Sequence, residues 1–274
     1  MTKAGRERLD EALVARGLAE TRSQARALIM AGAVRAGGRV LDKPGMPAPA
    51  GELEVAGGGR FVSRGGEKLA RALGVFGVDP AGLVCADLGA STGGFTDCLL
   101  QHGAARVYAV DVGYGQLHWK LRQDPRVVAV ERTNARHLEA LPEPVALVTA
   151  DLSFISLALI LPVIRRLLAP GGAAAVLVKP QFEAGREAVG KGGVVRDPAV
   201  HRAVLERFVE DARGAGFAVV GLTPSPLRGP AGNVEFLAHL RRDAPDAGVP
   251  AGGLAEAALA EVPAVVGGHA AGGA

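Results

Sequence analysis

The sequence predicts an α/β fold: a Rossmann-like, mostly parallel seven-stranded sheet that follows a small N-terminal α+β domain. Three observations predict it. From residue 64 onward, short apolar runs alternate with helical stretches, the pattern of strands covered on both faces. The first of these runs leads into Val84-Cys85-Ala86-Asp87-Leu88-Gly89-Ala90-Ser91-Thr92-Gly93-Gly94-Phe95-Thr96, where an apolar strand ends in Asp-x-Gly and opens through small residues into a helix. Ahead of both, residues 1–64 carry eleven Lys/Arg against seven Asp/Glu, a net of +4 that leaves −1 for the rest of a chain whose total is +3. At 274 residues and 49% apolar, the chain is long enough for one α/β domain and a small appendage.

Taken in order, Leu9, Leu13 and Val14 set a first helix within residues 6–17, stopped at Gly17. Thr21 or Ser23 caps a second, with Ala25, Leu28 and Ile29 inward and Gly32 at its end. Val34-Arg35 and Arg39-Val40-Leu41 flank Ala36-Gly37-Gly38, a hairpin signal, and Glu52 to Val55 forms one more short strand. Gly57-Gly58-Gly59 is a flexible joint. A helix over 64–76 then precedes strands at 83–87, 107–111, 127–130, 145–150 and 173–179, with helices near 94–102, 115–122, 134–140, 155–168 and 198–214. Strands 217–223 and 234–240, joined by a Pro/Gly loop, pair antiparallel at the sheet edge. Residues 244–274, mostly Ala, Gly, Val and Pro, are expected to be disordered, with weak helicity over Leu254 to Leu259. The expected organisation is a module at 1–58, a linker at 59–63, the main domain at 64–243 and the tail at 244–274.

Bulk properties exclude several classes. No apolar run is long enough to span a bilayer, and residues 1–20 are charged rather than signal-like, so a soluble cytoplasmic protein without membrane partners is expected. Cys85 and Cys98 read as buried small hydrophobes, and the histidines lack metal-ligand spacing, so no metal is expected. Oligomeric state is not encoded in any motif, and a monomer is favoured.

The glycine-rich loop lets a ligand approach the backbone, and the helix behind it offers free N–H groups. Ser91 stands where a dinucleotide fingerprint has its second Gly, so Asp-x-Gly followed by a later acid reads better as an S-adenosylmethionine pocket. Asp87, Gly89, Ala90, Ser91, Thr92, Gly93, Gly94 and Phe95 are its candidate loop residues, with Gly89, Ser91 and Gly93 at the methionine end. Asp111, ending the strand Val107–Val110, is placed to hold the ribose hydroxyls, and Asn134 to lie near the adenine.

Four further charges fall where such a sheet exposes side chains. Asp151 and Lys179 each end a strand, Glu235 opens the antiparallel last strand, and Lys68 lies on the helix before the first strand. Two lysines and two carboxylates around one rim suit transfer of a methyl group to a ribose hydroxyl. That hydroxyl is a poor acid, an ammonium stabilises the alkoxide forming from it, and a carboxylate positions the ammonium. Lys179 is central, either as an amine that takes the proton or as an ammonium that holds the alkoxide. Asp151 orients it and faces the cofactor, while Lys68 and Glu235 complete the network.

At these residues the chain resembles the FtsJ-type (RrmJ-like) ribose methyltransferases, and Lys68, Asp151, Lys179 and Glu235 match that group's Lys-Asp-Lys-Glu tetrad. Within the group it resembles the TlyA family. The strings that carry this are Ser63-Arg64-Gly65-Gly66-Glu67-Lys68-Leu69, Asp111-Val112-Gly113-Tyr114-Gly115-Gln116-Leu117, Glu131-Arg132-Thr133-Asn134-Ala135-Arg136, Asp151-Leu152-Ser153-Phe154-Ile155-Ser156, Leu177-Val178-Lys179-Pro180-Gln181-Phe182-Glu183 and Gly192-Gly193-Val194-Val195. The similarity covers about residues 6–242, and the N-terminal segment resembles an S-four-type RNA-binding module. The resemblance implies a class I methyltransferase fold and S-adenosylmethionine-dependent methylation of cytidine 2′-hydroxyls in ribosomal RNA. It implies a large-subunit site and, in some members, a small-subunit site linked to capreomycin susceptibility. With the net +4, it makes Arg6, Arg8, Arg22, Arg26, Arg35 and Arg39 candidate phosphate contacts. A non-catalytic rRNA-binding or assembly factor on the same fold is the alternative. The haemolysin label that members carry finds no support, because no membrane span or basic amphipathic membrane helix is evident.

Overall fold

The computed structural model describes residues 7–19, 21–30, 32–55 and 60–267. In the N-terminal module, helices α1 (Leu9–Ala15) and α2 (Arg22–Met30) pack on a three-stranded antiparallel sheet of β1 (Val34–Ala36), β2 (Arg39–Val40) and β3 (Glu54–Val55), ordered β2-β1-β3. Leu9, Leu13, Ile29 and Val34 are fully buried between these layers and give the module its own core. Thr21 caps α2, its Oγ1 accepting from the Gln24 amide at 3.1 Å.

In the main domain, α3 (Gly65–Phe76) precedes β4 (Val84–Leu88), α4 (Gly94–Gln101), β5 (Arg106–Val110), α5 (Trp119–Gln123), β6 (Val127–Val130) and β7 (Val145–Ala150). Helix α6 (Leu161–Leu167), strand β8 (Leu168–Val178), α7 (Pro180–Glu183), α8 (Pro198–Gly214), β9 (Phe217–Pro224), β10 (Phe236–Arg242) and α9 (Ala251–Gly267) follow. The seven strands run β6-β5-β4-β7-β8-β10-β9. Strand β10 pairs antiparallel with both β8 and β9, while the β4, β5, β6, β7 and β8 pairings are parallel. The hairpin therefore folds back: β10 inserts beside β8, and β9 becomes the edge. One face buries Leu69, Leu73, Cys98 and Leu99 from α3 and α4, the other Ile164, Leu205, Phe208 and Val209 from α6 and α8. Order reverses between β4 and β7, and the crevice beyond their carboxyl ends is where such sheets take ligands.

Several expectations need correction. The helix expected near 115–122 shrinks to Trp119–Gln123, because Gly115 adopts φ +71° and the chain turns there first. The helix expected near 134–140 is a short 3₁₀ turn, Ala135–His137, and that near 155–168 divides into a 3₁₀ turn, Leu157–Leu159, and α6. The disordered tail is the largest difference. Residues 251–267 form a helix, with Ala255 and Ala258 fully buried against the core. Alanine contributes little to an apolar pattern, yet it lets α9 lie close to its neighbours.

Candidate active site

The loop after β4 is held from several sides. The Gly89 and Ala90 amides both donate to the Val110 carbonyl, at 2.8 and 3.0 Å. Gly89 has φ +84°, and a Cβ there would stand 2.6 Å from the Asp151 carbonyl oxygen, so only glycine lets the two strand ends approach this closely. Asp111 binds the loop to the end of β5: its Oδ2 accepts from the Ser91 amide at 2.8 Å and its Oδ1 from the Gly113 amide at 2.7 Å. Each oxygen retains acceptor capacity, which suits a pair of ligand hydroxyls.

Two loop residues are placed otherwise than the sequence suggests. Asp87 is fully buried, its Oδ2 taking the Thr96 hydroxyl at 2.7 Å and its Oδ1 the Thr149 hydroxyl at 3.2 Å. Burial pushes its carboxyl up to about 7, against those hydroxyls, which draw it down. It braces the loop from beneath and offers no atom to a ligand. Gly93, with φ +96°, turns its Cα toward Leu121 and Leu117, where a Cβ would clash, so its role in starting α4 is steric. Gly89, Ala90, Ser91, Thr92, Gly94 and Phe95 line the cleft.

The four charges converge on that same cleft. Asp151 and Lys179 directly follow β7 and β8; Glu235 directly precedes β10, whose reversed direction brings it to the same rim; Lys68 lies in the first turns of α3. They form two ion pairs: Lys68 Nζ to Glu235 Oε2 at 2.5 Å, and Lys179 Nζ to Asp151 Oδ1 at 2.6 Å. Lys179 also donates to Ser153 Oγ at 3.0 Å, and its Nζ stands 5.8 Å from the centre of the Phe182 ring. Both lysines are 8% exposed; Glu235 is buried as well, so that pair is withdrawn from water that would loosen it, whereas the Asp151 side chain is 23% exposed.

Asn134 is exposed; its side-chain oxygen caps the Ala135–His137 turn by accepting from the Arg136 amide at 3.0 Å, and it lies outside the cleft lining. Among the candidate phosphate contacts, Arg6 lies outside the described residues. Arg8 and Arg22 both close on the fully buried Asp10, at 2.9 and 3.1 Å, and their guanidinium groups hold its carboxyl down at about 2. Arg26, Arg35 and Arg39 are exposed.

Sequence reading missed two features. Phe154 is 91% exposed with φ +63°, three residues past Asp151, and packs 5.0 Å from Phe182. Glu183 holds that loop, accepting from Ser156 Oγ at 2.6 Å and from the Leu157 amide at 2.8 Å. Both lie in quoted motifs, but neither carries a pattern that separates exposure from burial.

Residues 61–242 match the family described as FtsJ-like methyltransferase, and residues 7–53 match the S4 domain. The chain is 54% identical over 243 residues to YqxC of Bacillus subtilis, covering 86% of this chain and 85% of that protein. It is 49% identical over 259 residues to the 16S/23S rRNA (cytidine-2'-O)-methyltransferase TlyA of Mycobacterium tuberculosis, covering 93% of this chain and 96% of that protein. A solved structure from Streptococcus thermophilus, described as a candidate hemolysin, superposes with a TM-score of 0.76 at 45% identity, covering 96% of this chain and 98% of that one. Among the described residues, no helix is long and apolar enough to cross a membrane. With its fold, its paired charges and these matches, the chain belongs to the FtsJ-like methyltransferase family.

Proposed function

We propose that the protein methylates the 2′-hydroxyl of a cytidine in ribosomal RNA, using S-adenosylmethionine. The observation that carries this reading is the pair of lysine–carboxylate contacts around one cleft, beside the Gly89–Phe95 loop. The loop and Asp111 suit an adenosyl ligand: small residues leave room against the strand ends, and Asp111 keeps acceptor capacity for two hydroxyls. Held by the Gly89–Phe95 loop and Asp111, the cofactor would supply an electrophilic methyl carbon on a sulfonium, with a neutral thioether as the leaving group. As a neutral amine, Lys179 takes the hydroxyl proton on Nζ, and the ammonium so formed is the state that pairs with Asp151. Lys68, fixed by Glu235, adds positive charge to the cleft in which the alkoxide develops.

Phe154 supports a nucleic-acid substrate. An aromatic side chain so exposed beside a reactive cleft offers a face on which an unstacked base can rest. The S4-domain match and the exposed Arg26, Arg35 and Arg39 support RNA recognition by the N-terminal module. The test is transfer of tritiated methyl groups to ribosomal subunits, followed by mapping of 2′-O-methyl positions on both large rRNAs from cells with and without the protein. Cytidine sites that vanish with the protein support the reading. Unchanged maps, with no transfer in vitro, favour the non-catalytic assembly factor.

A further inference from the structure

We propose that Arg71, completed by Glu261 of the C-terminal helix, is a positioning residue that sets Lys68 against Glu235. The inference rests on the reading of Lys68 as part of the methyl-transfer site. Arg71 lies three residues beyond Lys68 on α3, so the two side chains neighbour each other on one face of the helix. Its Nε donates to the Pro224 carbonyl at 3.0 Å. Its Nη2 donates to Thr223 Oγ1 at 2.9 Å and to Glu261 Oε2 at 3.1 Å. The fully buried Thr223 closes the ring by donating to the same Glu261 oxygen at 2.8 Å.

The strand end that Arg71 grips is the one that holds Glu235. Pro224 pairs with Phe236 across the β9–β10 ladder, and the next residue, Ser225, donates its amide to the Glu235 carbonyl at 2.8 Å. The gap between α3 and the hairpin is thus spanned twice: by the Lys68–Glu235 pair at 2.5 Å, and one helical turn away by Arg71. The Arg71 and Glu261 side chains are 25% and 45% exposed, so their attraction alone adds little to stability. What the fork supplies is direction, since a planar guanidinium with three fixed acceptors leaves α3 little freedom to slide. Helix α9 lies beyond the 61–242 family match and still contributes one of those acceptors.

The experiment uses the full chain with Arg71→Ala, Arg71→Lys and Glu261→Ala, each also placed on a Lys68→Ala background, at a temperature well below every variant's Tm. Single-turnover methyl transfer to the ribosomal substrate is expected to fall about tenfold in Arg71→Ala, the scale of a sub-ångström misplacement, and less in Glu261→Ala. Affinity for S-adenosylmethionine by calorimetry is expected to stay within about twofold, because the clamp touches no cofactor residue. Arg71→Lys is expected to restore part of the rate. On the Lys68→Ala background Arg71→Ala is expected to cost nothing more. A full additional loss on that background, or a normal rate in Arg71→Ala, overturns the proposal. The Lys68 ammonium resonance, assigned by its disappearance in Lys68→Ala, gives a readout without turnover: it shifts or broadens in Arg71→Ala if the clamp holds it, and an unchanged signal overturns the proposal. Failure of the wild-type protein to methylate RNA counts against the functional reading, and the resonance still decides the clamp.

Discussion

The lysines of the cleft and the arginines of the N-terminal module carry the same charge under opposite conditions. Lys68 and Lys179 are 8% exposed, and each meets a carboxylate brought from a different element. Arg26, Arg35 and Arg39 stand exposed on the module. A buried pair is costly to form and costly to break, so its geometry is held tightly; an exposed cation acts by its number and by salt. On the proposed reading, the cleft fixes one reacting centre and the module attracts a polyanion. Asp10 crosses the division: it is a fully buried carboxylate inside the module, and it ties down Arg8 and Arg22, whose side chains remain 43% and 53% exposed.

The sharpest way to break the comparison is Glu235→Ala, which leaves Lys68 buried without its partner. A loss of about 3 kcal/mol in stability is expected, read by denaturant unfolding. A loss near zero would mean that the pair is as loose as a surface contact. Asp111→Ala is expected to weaken S-adenosylmethionine binding by about 1–3 kcal/mol, measured by calorimetry, since ligand hydroxyls and the Ser91 and Gly113 amides would lose a common acceptor.

His239 shows what burial does to a charge with no partner. It is buried on β10, its ring 5.5 Å from that of Phe76, with neither nitrogen hydrogen-bonded among the described residues, and burial pushes its pKa down to about 4, with Arg241 adding to the shift. The unfolded chain therefore binds this proton at a higher pH than the folded one. Stability is expected to fall as pH drops from about 6.5 toward 4, by on the order of 2 kcal/mol from this group. His239→Leu should flatten that part of the profile in thermal melts, and an identical profile in both proteins would reject the assignment. The smallest effects belong to the module. Arg26→Ala, Arg35→Ala and Arg39→Ala should each lower RNA affinity modestly and reduce the salt slope by about one. Arg8→Ala and Arg22→Ala should lower stability more than they change that slope. The reverse ranking would show that the Asp10 pairs open on binding.

Much of the main domain is legible in the sequence, because its strands are continuous apolar runs and its ligands belong at strand ends. Lys68, Asp151, Lys179 and Glu235 lie on one rim because β10 runs against β8, and the Pro/Gly loop from Pro224 to Gly232 already implied that the last strand turns back. The motif residues are less transparent. Asp87 and Gly93 belong to the same string as Ser91, yet one is used from below and the other faces Leu117 and Leu121, and a string does not say which way a residue points. Helix α9 was legible only as weak helicity over Leu254 to Leu259, for another reason. Its buried positions include Ala255 and Ala258, whose burial depends on neighbours distant in sequence, and Pro263 lies inside the helix where local rules predict a break. Phe154 gave no signal, because exposure of a large aromatic follows from the turn at φ +63°.

The central claim is that Lys179 is the group on which the reaction turns. Single-turnover methyl transfer by Lys179→Ala on the ribosomal substrate tests it most directly, with the folded state checked by circular dichroism and cofactor affinity by calorimetry. The account predicts native folding, cofactor affinity within about twofold, and a rate lower by roughly 10²–10³. A near-normal single-turnover rate in that variant would contradict it.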